Sequence, residues 1–293
     1  MFASFNPGQI GLSALALREG LALAERHGFG GFDPSLVQLH DEVTRHGAAA
    51  VRGWFVGHGL QMGAWTLPFM PWHVPEAEWQ DWLARLPALA ASAAAVGALR
   101  AAIWTFPGSN DFAYEENFRH YVRRFQPVAR VLGAHGIRLG LEAVGPETAQ
   151  RQYRHPFLRK PAEAWRLAQA IAPNCGVVLD SYHWHCAGGT RAELAALPAA
   201  SIVQAHVCDG RAGRTLAQQM DLERRLPGES GVVDLDGFMS ALAAHRFDGP
   251  VTAEPFDDDV NALGVEGATA RTARATRAAV ARAVLSAPLS TQP

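Results

Sequence analysis

Four short strand-like runs in the second half of the chain each stop at one ionisable residue. Residues 137–141 run into Glu142, 177–179 into Asp180, 202–205 into His206 and 251–253 into Glu254. Runs of this length and apolar content, bounded by turn-forming residues, predict strands covered on both faces, as in a parallel sheet. Side chains alternate between the two faces of a strand, so parity tests whether the four end residues can share a face. They do. Asp180 falls in phase with Val178, Glu142 with Gly140, His206 with Gln204 and Glu254 with Thr252. The opposite faces carry Val177, Leu179, Leu139, Leu141, Val203, Ala205, Val251 and Ala253, the set that helices would cover.

The first half of the chain supplies the remaining units. Strands are predicted over 1–5, 30–32, 51–56 and 101–106, with helices over 13–27, 35–46, 76–99 and 114–135. Helices over 161–171, 191–197, 235–245 and 268–285 alternate with the four site-bearing strands. Strict alternation of strand and helix predicts an α/β fold with a parallel sheet, and eight pairs predict closure into a single (β/α)8 TIM barrel. No linker-like stretch interrupts it, so one domain is expected over 1–293. His27-Gly28, His46-Gly47 and His135-Gly136 fall where helices should stop, with His245 in a similar place, and read as structural punctuation at the face opposite the strand ends. Closure would bring Glu142, Asp180, His206 and Glu254 from strands five to eight to one rim.

Composition narrows the class. The 293 residues are 48% hydrophobic and 18% charged, which suits a globular chain with a large core. A formal net charge of −2 argues against a nucleic-acid footprint. Three cysteines form no C-x-x-C pair and cannot all pair, so a reducing cytoplasm is expected. The start, MFASFNPGQIG, has neither a basic segment nor a long apolar one, and no signal peptide is expected. The longest run of apolar and small residues, 86–99, is too short to span a bilayer, so no membrane association is expected either.

Three carboxylates and one imidazole make an oxygen-rich donor set that suits Mn²⁺, Mg²⁺, Co²⁺ or Zn²⁺ rather than copper or an iron–sulfur cluster. Such an ion, with an open position, polarises a substrate carbonyl and acidifies the neighbouring C–H, and a glutamate on either side can remove and return the proton. Any one of the four alone reads as a turn former or a helix cap. Four in phase on successive strands read as a site. Two long connections share that rim. The connection over 57–75 carries Trp65, Phe69 and Trp72, either as an aromatic lid over a ring-shaped or polyol substrate or as packing against the barrel mouth. The connection over 210–231 carries Arg211, Arg214, Arg224 and Arg225.

The motifs Leu141-Glu142-Ala143, Leu179-Asp180 with His183 three residues on, Ala205-His206-Val207 with Asp209, Pro227-Gly228-Glu229 and Ala253-Glu254-Pro255-Phe256 occur in that order across nearly the whole chain. Together they resemble the xylose isomerase-like barrel superfamily of sugar and sugar-phosphate isomerases and epimerases. The resemblance implies that Glu142, Asp180, His206 and Glu254 hold one divalent ion, commonly Mn²⁺. It implies that Glu142 and Glu254 form the acid/base pair and that His183 contacts a substrate oxygen. It further implies a substrate-contacting arginine after the seventh strand, for which Arg211 is the candidate beside Arg214. Trp65 of the aromatic connection is a further substrate candidate. Glu147 either carries a substrate hydroxyl or pairs within its own loop. A homodimer or homotetramer is compatible with the family.

The function expected is a divalent-metal-dependent isomerase or epimerase of a small sugar, keto-acid or polyol, working by proton abstraction next to a carbonyl through a metal-stabilised enediolate. The same ion and base could expel a β-hydroxyl, which would make the chain a dehydratase of the inosose dehydratase kind. A non-catalytic sugar-binding or subunit protein on the same barrel is a third class. The apurinic endonucleases share the barrel too, but their trinuclear zinc site and basic face find few counterparts in the early strand ends here.

Overall fold

The computed structural model describes residues 1–285, so the expected single domain over 1–293 extends past them at 286–293. Nine strand segments form one parallel sheet, in the spatial order Gln61–Met62, Gly31–Phe32, Phe2–Phe5, Pro250–Ala253, Ile202–Val207, Cys175–Asp180, Arg138–Ala143, Arg100–Thr105, Trp65–Thr66. The two edge segments are neighbours in sequence. The stretch that contains them bonds to the second strand on one side and to Arg100–Thr105 on the other. Gly63 N donates to Phe32 O at 2.8 Å and Leu67 N to Ala102 O at 3.0 Å. One broken third strand therefore closes the sheet into a barrel, and among the described residues this sheet keeps no free edge to pair with another chain.

The third strand is not where the pattern of hydrophobic residues predicts it. Residues 51–56 lie inside the helix Ala48–Gly57. Valine and phenylalanine enrich the segment as they would a strand, but its buried residues are Val51 and Phe55, four apart, while Val56 is 73% exposed. That spacing is one face of a helix. The true strand was hidden by its break at Gly63. A Cβ there would lie 1.8 Å from Asp33 Oδ1 and 2.6 Å from Ser4 Oγ, so only glycine lets the third strand pass this close to the barrel's interior.

Asp33 is the polar centre of that interior. Its carboxylate accepts from Ser4 Oγ, Ala64 N at 3.1 Å, Gln204 Nε2 at 3.2 Å and Thr252 Oγ1 at 2.7 Å, joining four strand regions. Burial outweighs these donors and pushes its pKa up from 3.8 to about 6. A carboxyl whose folded pKa is raised contributes stability that is fully present below the unfolded value and lost as pH rises through the folded one. The window here is from about 3.8 to about 6, and the shift corresponds to roughly 3 kcal/mol. Chemical denaturation as a function of pH should show this loss, and Asp33→Asn should flatten the profile across the same window.

Helices cover the outward strand faces, and the apolar core between the two layers includes Leu21, Phe125, Leu132, Leu139, Leu141 and Val251. Among the described residues no helix is long and apolar enough to cross a membrane. His27 and His135 end the helices Leu17–Arg26 and Tyr114–Ala134, and His27 pairs with Glu266 on the surface. Loops four and five add a small antiparallel ribbon, Gly108–Ser109 against His155–Pro156, above the barrel.

Candidate metal centre

The strands deliver Glu142, Asp180, His206 and Glu254 to one place. Each offers a ligand atom, these atoms all lie within 4.8 Å of one another, and all four residues are buried. Register explains the convergence. Asp180 is level with His206 and His206 with Thr252, whereas Glu142 is level with Val178, so the stagger of the closing sheet tilts all four toward a common point. At Asp180 the chain turns into the short helix Ser181–Cys186. Asp180 caps this helix through Oδ1, which accepts from Tyr182 N at 2.6 Å and His183 N at 2.9 Å. Its Oδ2 is left for the centre. The same turn aims His183 inward, where Nδ1 accepts from Gly145 N at 3.2 Å. Its Nε2 lies at the cavity wall, 3.1 Å from Arg224 Nη2.

Charge in the centre is unevenly balanced. His206 Nδ1 lies 2.9 Å from Glu142 Oε1 and 3.5 Å from Glu254 Oε2. Burial pulls the imidazole pKa down, but the two carboxylates overcome it and hold the pKa well above the usual value. Burial pushes Glu142 up, against the pull of His206. Glu254 is equally buried, yet the charges of His206 and Arg224 hold its carboxyl below the usual range. A buried set of three carboxylates and one imidazole, gathered within reach of one point, is a donor set that fits a hard or borderline divalent ion. Such ligation requires a deprotonated imidazole, so binding would release the His206 proton.

Arg224 is the functional residue that the sequence reading did not single out. Its guanidinium is buried, and Nη1 donates to Asp180 Oδ2 at 3.1 Å and Glu254 Oε2 at 2.8 Å. Nη2 donates to Asp221 Oδ1 at 2.7 Å and lies 3.1 Å from His183 Nε2. The rings of Tyr182 and Phe256 flank the guanidinium at 5.0 and 4.8 Å. Nothing local in the sequence marks this arginine among its neighbours, because Asp209 positions it from a distance. Asp209 Oδ1 accepts from the backbone N–H groups of Gly210, Val232 and Val233, and Oδ2 from those of Ser230 and Gly231. Asp209 also pairs backbone to backbone with Arg225. One carboxylate thus folds the whole 210–231 connection back over the rim. Asp209→Ala would strand several buried donors, and a loss of about 2–3 kcal/mol is expected, with protease cleavage appearing first within 210–231. Limited proteolysis read by mass spectrometry checks this.

Three of the expected substrate residues lie elsewhere. Trp65 is buried with its indole Nε1 donating to Ala98 O at 2.9 Å, so it is a core residue of the third strand and no lid; its neighbour Thr66 lines the cavity instead. Arg211 sits on the outer side of the seventh connection with Arg225 and Arg271. Glu147 pairs with Arg151 at 2.6 Å, four residues on along the same exposed turn. His183 does line the cavity with Glu142, His206 and Glu254, in a space of about 490 Å³. The rest of its wall includes Trp104, Val144, Asp221, Leu222, Arg224 and Phe256. Cys175, Cys186 and Cys208 are free and buried, and burial pushes the Cys186 thiol up to about 12, which rules it out as a nucleophile.

Comparison with known proteins places this geometry. Residues 21–281 match the family described as xylose isomerase-like TIM barrel. A curated relative, the inosose isomerase of Bacillus velezensis, is 22% identical over 267 residues, covering 90% of this chain and 91% of its own. A xylose isomerase domain protein from Alicyclobacillus acidocaldarius superposes with a TM-score of 0.82 at 30% identity, over 96% of this chain and 99% of that one. The structure of an IOLI protein that carries a zinc atom superposes with a TM-score of 0.79 at 20% identity, over 96% and 99% of the two chains.

Proposed function

Since the chain belongs to the xylose isomerase-like TIM barrel family, we propose that it is a divalent-metal-dependent isomerase or epimerase of a small keto-sugar or keto-polyol. The observation that carries this reading is the meeting of Glu142, Asp180, His206 and Glu254 within 4.8 Å, three of which, Glu142, His206 and Glu254, line the cavity. The full-length likeness to an inosose isomerase supports it. Glu142, Asp180, His206 and Glu254 would hold the ion, which when bound supplies a Lewis acid for the substrate carbonyl.

The chain's own residues do the rest. Glu142 engages His206 through Oε1, and Glu254 engages Arg224 through Oε2, so the second oxygen of each is available to take or give a proton. The two glutamates come from the fifth and eighth strands and approach a bound substrate from different sides. Removal by one and return by the other would invert a centre; removal and return by the same one would move a carbonyl along the carbon chain. His183 and Arg224 stand side by side at the cavity wall, 3.1 Å apart between Nε2 and Nη2, and the positive charge of the guanidinium suits an oxygen on which negative charge develops. Phe256, Ile103 and Val144 wall the cavity and limit water access to the reacting carbon.

Incubation of the Mn²⁺-loaded protein in D₂O with a panel of ketoses, aldoses and inososes tests the reading. Deuterium at the carbon next to the carbonyl, seen by NMR, is expected for at least one member. Loss of water with a new enone absorbance would reassign the chain as a dehydratase. Tight binding without exchange in any substrate would contradict both.

A further inference from the structure

The metal-side cavity does not end at the size of one sugar ring. Trp104, Val144, Asp221 and Leu222 form a shared wall, and beyond it lies a second space of about 270 Å³. Phe106, Pro107, Tyr153 and Met220 line that space. Its walls come from residues that flank the small ribbon, where a Cβ on Gly108 would meet Tyr153 at 2.3 Å, and from the connection that Asp209 folds over the rim. Phe106 and Tyr153 stack at 5.9 Å. Trp104 is level with Glu142 on the adjoining strand and therefore shares its inward face.

Two features define what this space accepts. First, large apolar side chains stand exposed at its mouth: Trp104 and Met220 are each 37% exposed and Leu222 is 67% exposed. Second, part of its polar lining is already engaged. The Thr148 hydroxyl donates to Gln219 O at 2.7 Å, and Glu223 pairs with Arg214 at 2.5 Å. A second sugar ring needs a donor or acceptor for each of its several hydroxyls, whereas a flat apolar ring needs only faces such as Phe106 and Tyr153 to lie against. Ligand pockets ordinarily span about 300–1,000 Å³, and the metal-side cavity of about 490 Å³ is adjoined by a further 270 Å³ here.

We propose that the second chamber binds an apolar, ring-bearing substituent of the substrate, so that the substrate class is an aryl-type conjugate of a keto-sugar or keto-polyol. This rests on the metal-side cavity being the site for the keto ring. The test uses two probes that have no free carbonyl and cannot react, phenyl β-D-glucopyranoside and methyl β-D-glucopyranoside, titrated calorimetrically into the Mn²⁺-loaded protein. The phenyl glucoside should bind at least about tenfold more tightly, as expected from burying one aromatic ring. Ala149→Trp, which fills the chamber, and Tyr153→Ala, which removes one face, should each bring the two affinities within about twofold while methyl glucoside binding is unchanged. Equal affinities in the unmodified protein, no measurable binding of the phenyl glucoside, or a phenyl preference that survives both substitutions would overturn the proposal. Because neither probe turns over, these results are independent of deuterium exchange: an aryl preference without exchange would leave the chamber standing and remove the proton-transfer reading alone.

Discussion

Glu254→Gln is expected to lower deuterium exchange into substrate by at least about 10³-fold at saturating Mn²⁺ while leaving the thermal midpoint within a few degrees of the parent protein. The amide keeps the shape of the carboxylate and can still accept from Arg224 Nη1, which lies at 2.8 Å from Oε2. What it loses is negative charge and basicity. A positioned general base contributes about 10²–10⁴-fold by itself. Glu254 would also be one of only three carboxylates holding the ion, so weaker ion binding adds to the loss. Glu142→Gln should behave alike, because Glu142 stands in the same relation to His206 on the other side. A variant that retained exchange at near the parent rate would remove Glu254 from the chemistry.

The second large effect concerns stability rather than rate. Arg224 is buried against Asp180, Asp221 and Glu254, and its removal leaves those carboxylates without their cation. Breaking a buried pair from one side costs about 3–5 kcal/mol, since the remaining charge stays out of water. Arg224→Ala should therefore lower Tm by on the order of 10 °C in the ion-free protein. Adding Mn²⁺ should recover more stability in the variant than in the parent, because a dication among Glu142, Asp180 and Glu254 takes over the neutralisation. Arg224→Lys should fall between, as an ammonium supplies charge without the fork that reaches two partners at once. Scanning calorimetry with and without Mn²⁺ reads all three, and an Arg224→Ala protein as stable as its parent without the ion would refute the argument.

The barrel and the four convergent side chains were legible because both follow from short-range periodicity. Val178 predicts the face of Asp180, and Gln204 that of His206, and in the structure those pairs are level across adjoining strands. The third strand was illegible for the opposite reason. Its pieces, Gln61–Met62 and Trp65–Thr66, are two residues each, and Gly63 between them answers to Asp33, thirty residues earlier. Misplacing that strand put Trp65 in a connection at the rim, where a lid and packing against the barrel mouth both remained open, although its indole belongs to the core. Arg224 could not be told apart from Arg211, Arg214 and Arg225 because its position depends on the carboxylate of Asp209 gathering a long connection, a tertiary effect with no periodic trace. The second chamber was hidden likewise, since its walls Phe106 and Tyr153 flank a ribbon that pairs residues such as Ser109 and His155, far apart in sequence.

Crystals of this protein equilibrated with Mn²⁺ and measured at the manganese absorption edge test the central claim most directly. The account predicts one strong anomalous peak, ligated by Glu142, Asp180, His206 and Glu254 together. A peak held by other residues, or none among these four side chains, would contradict it.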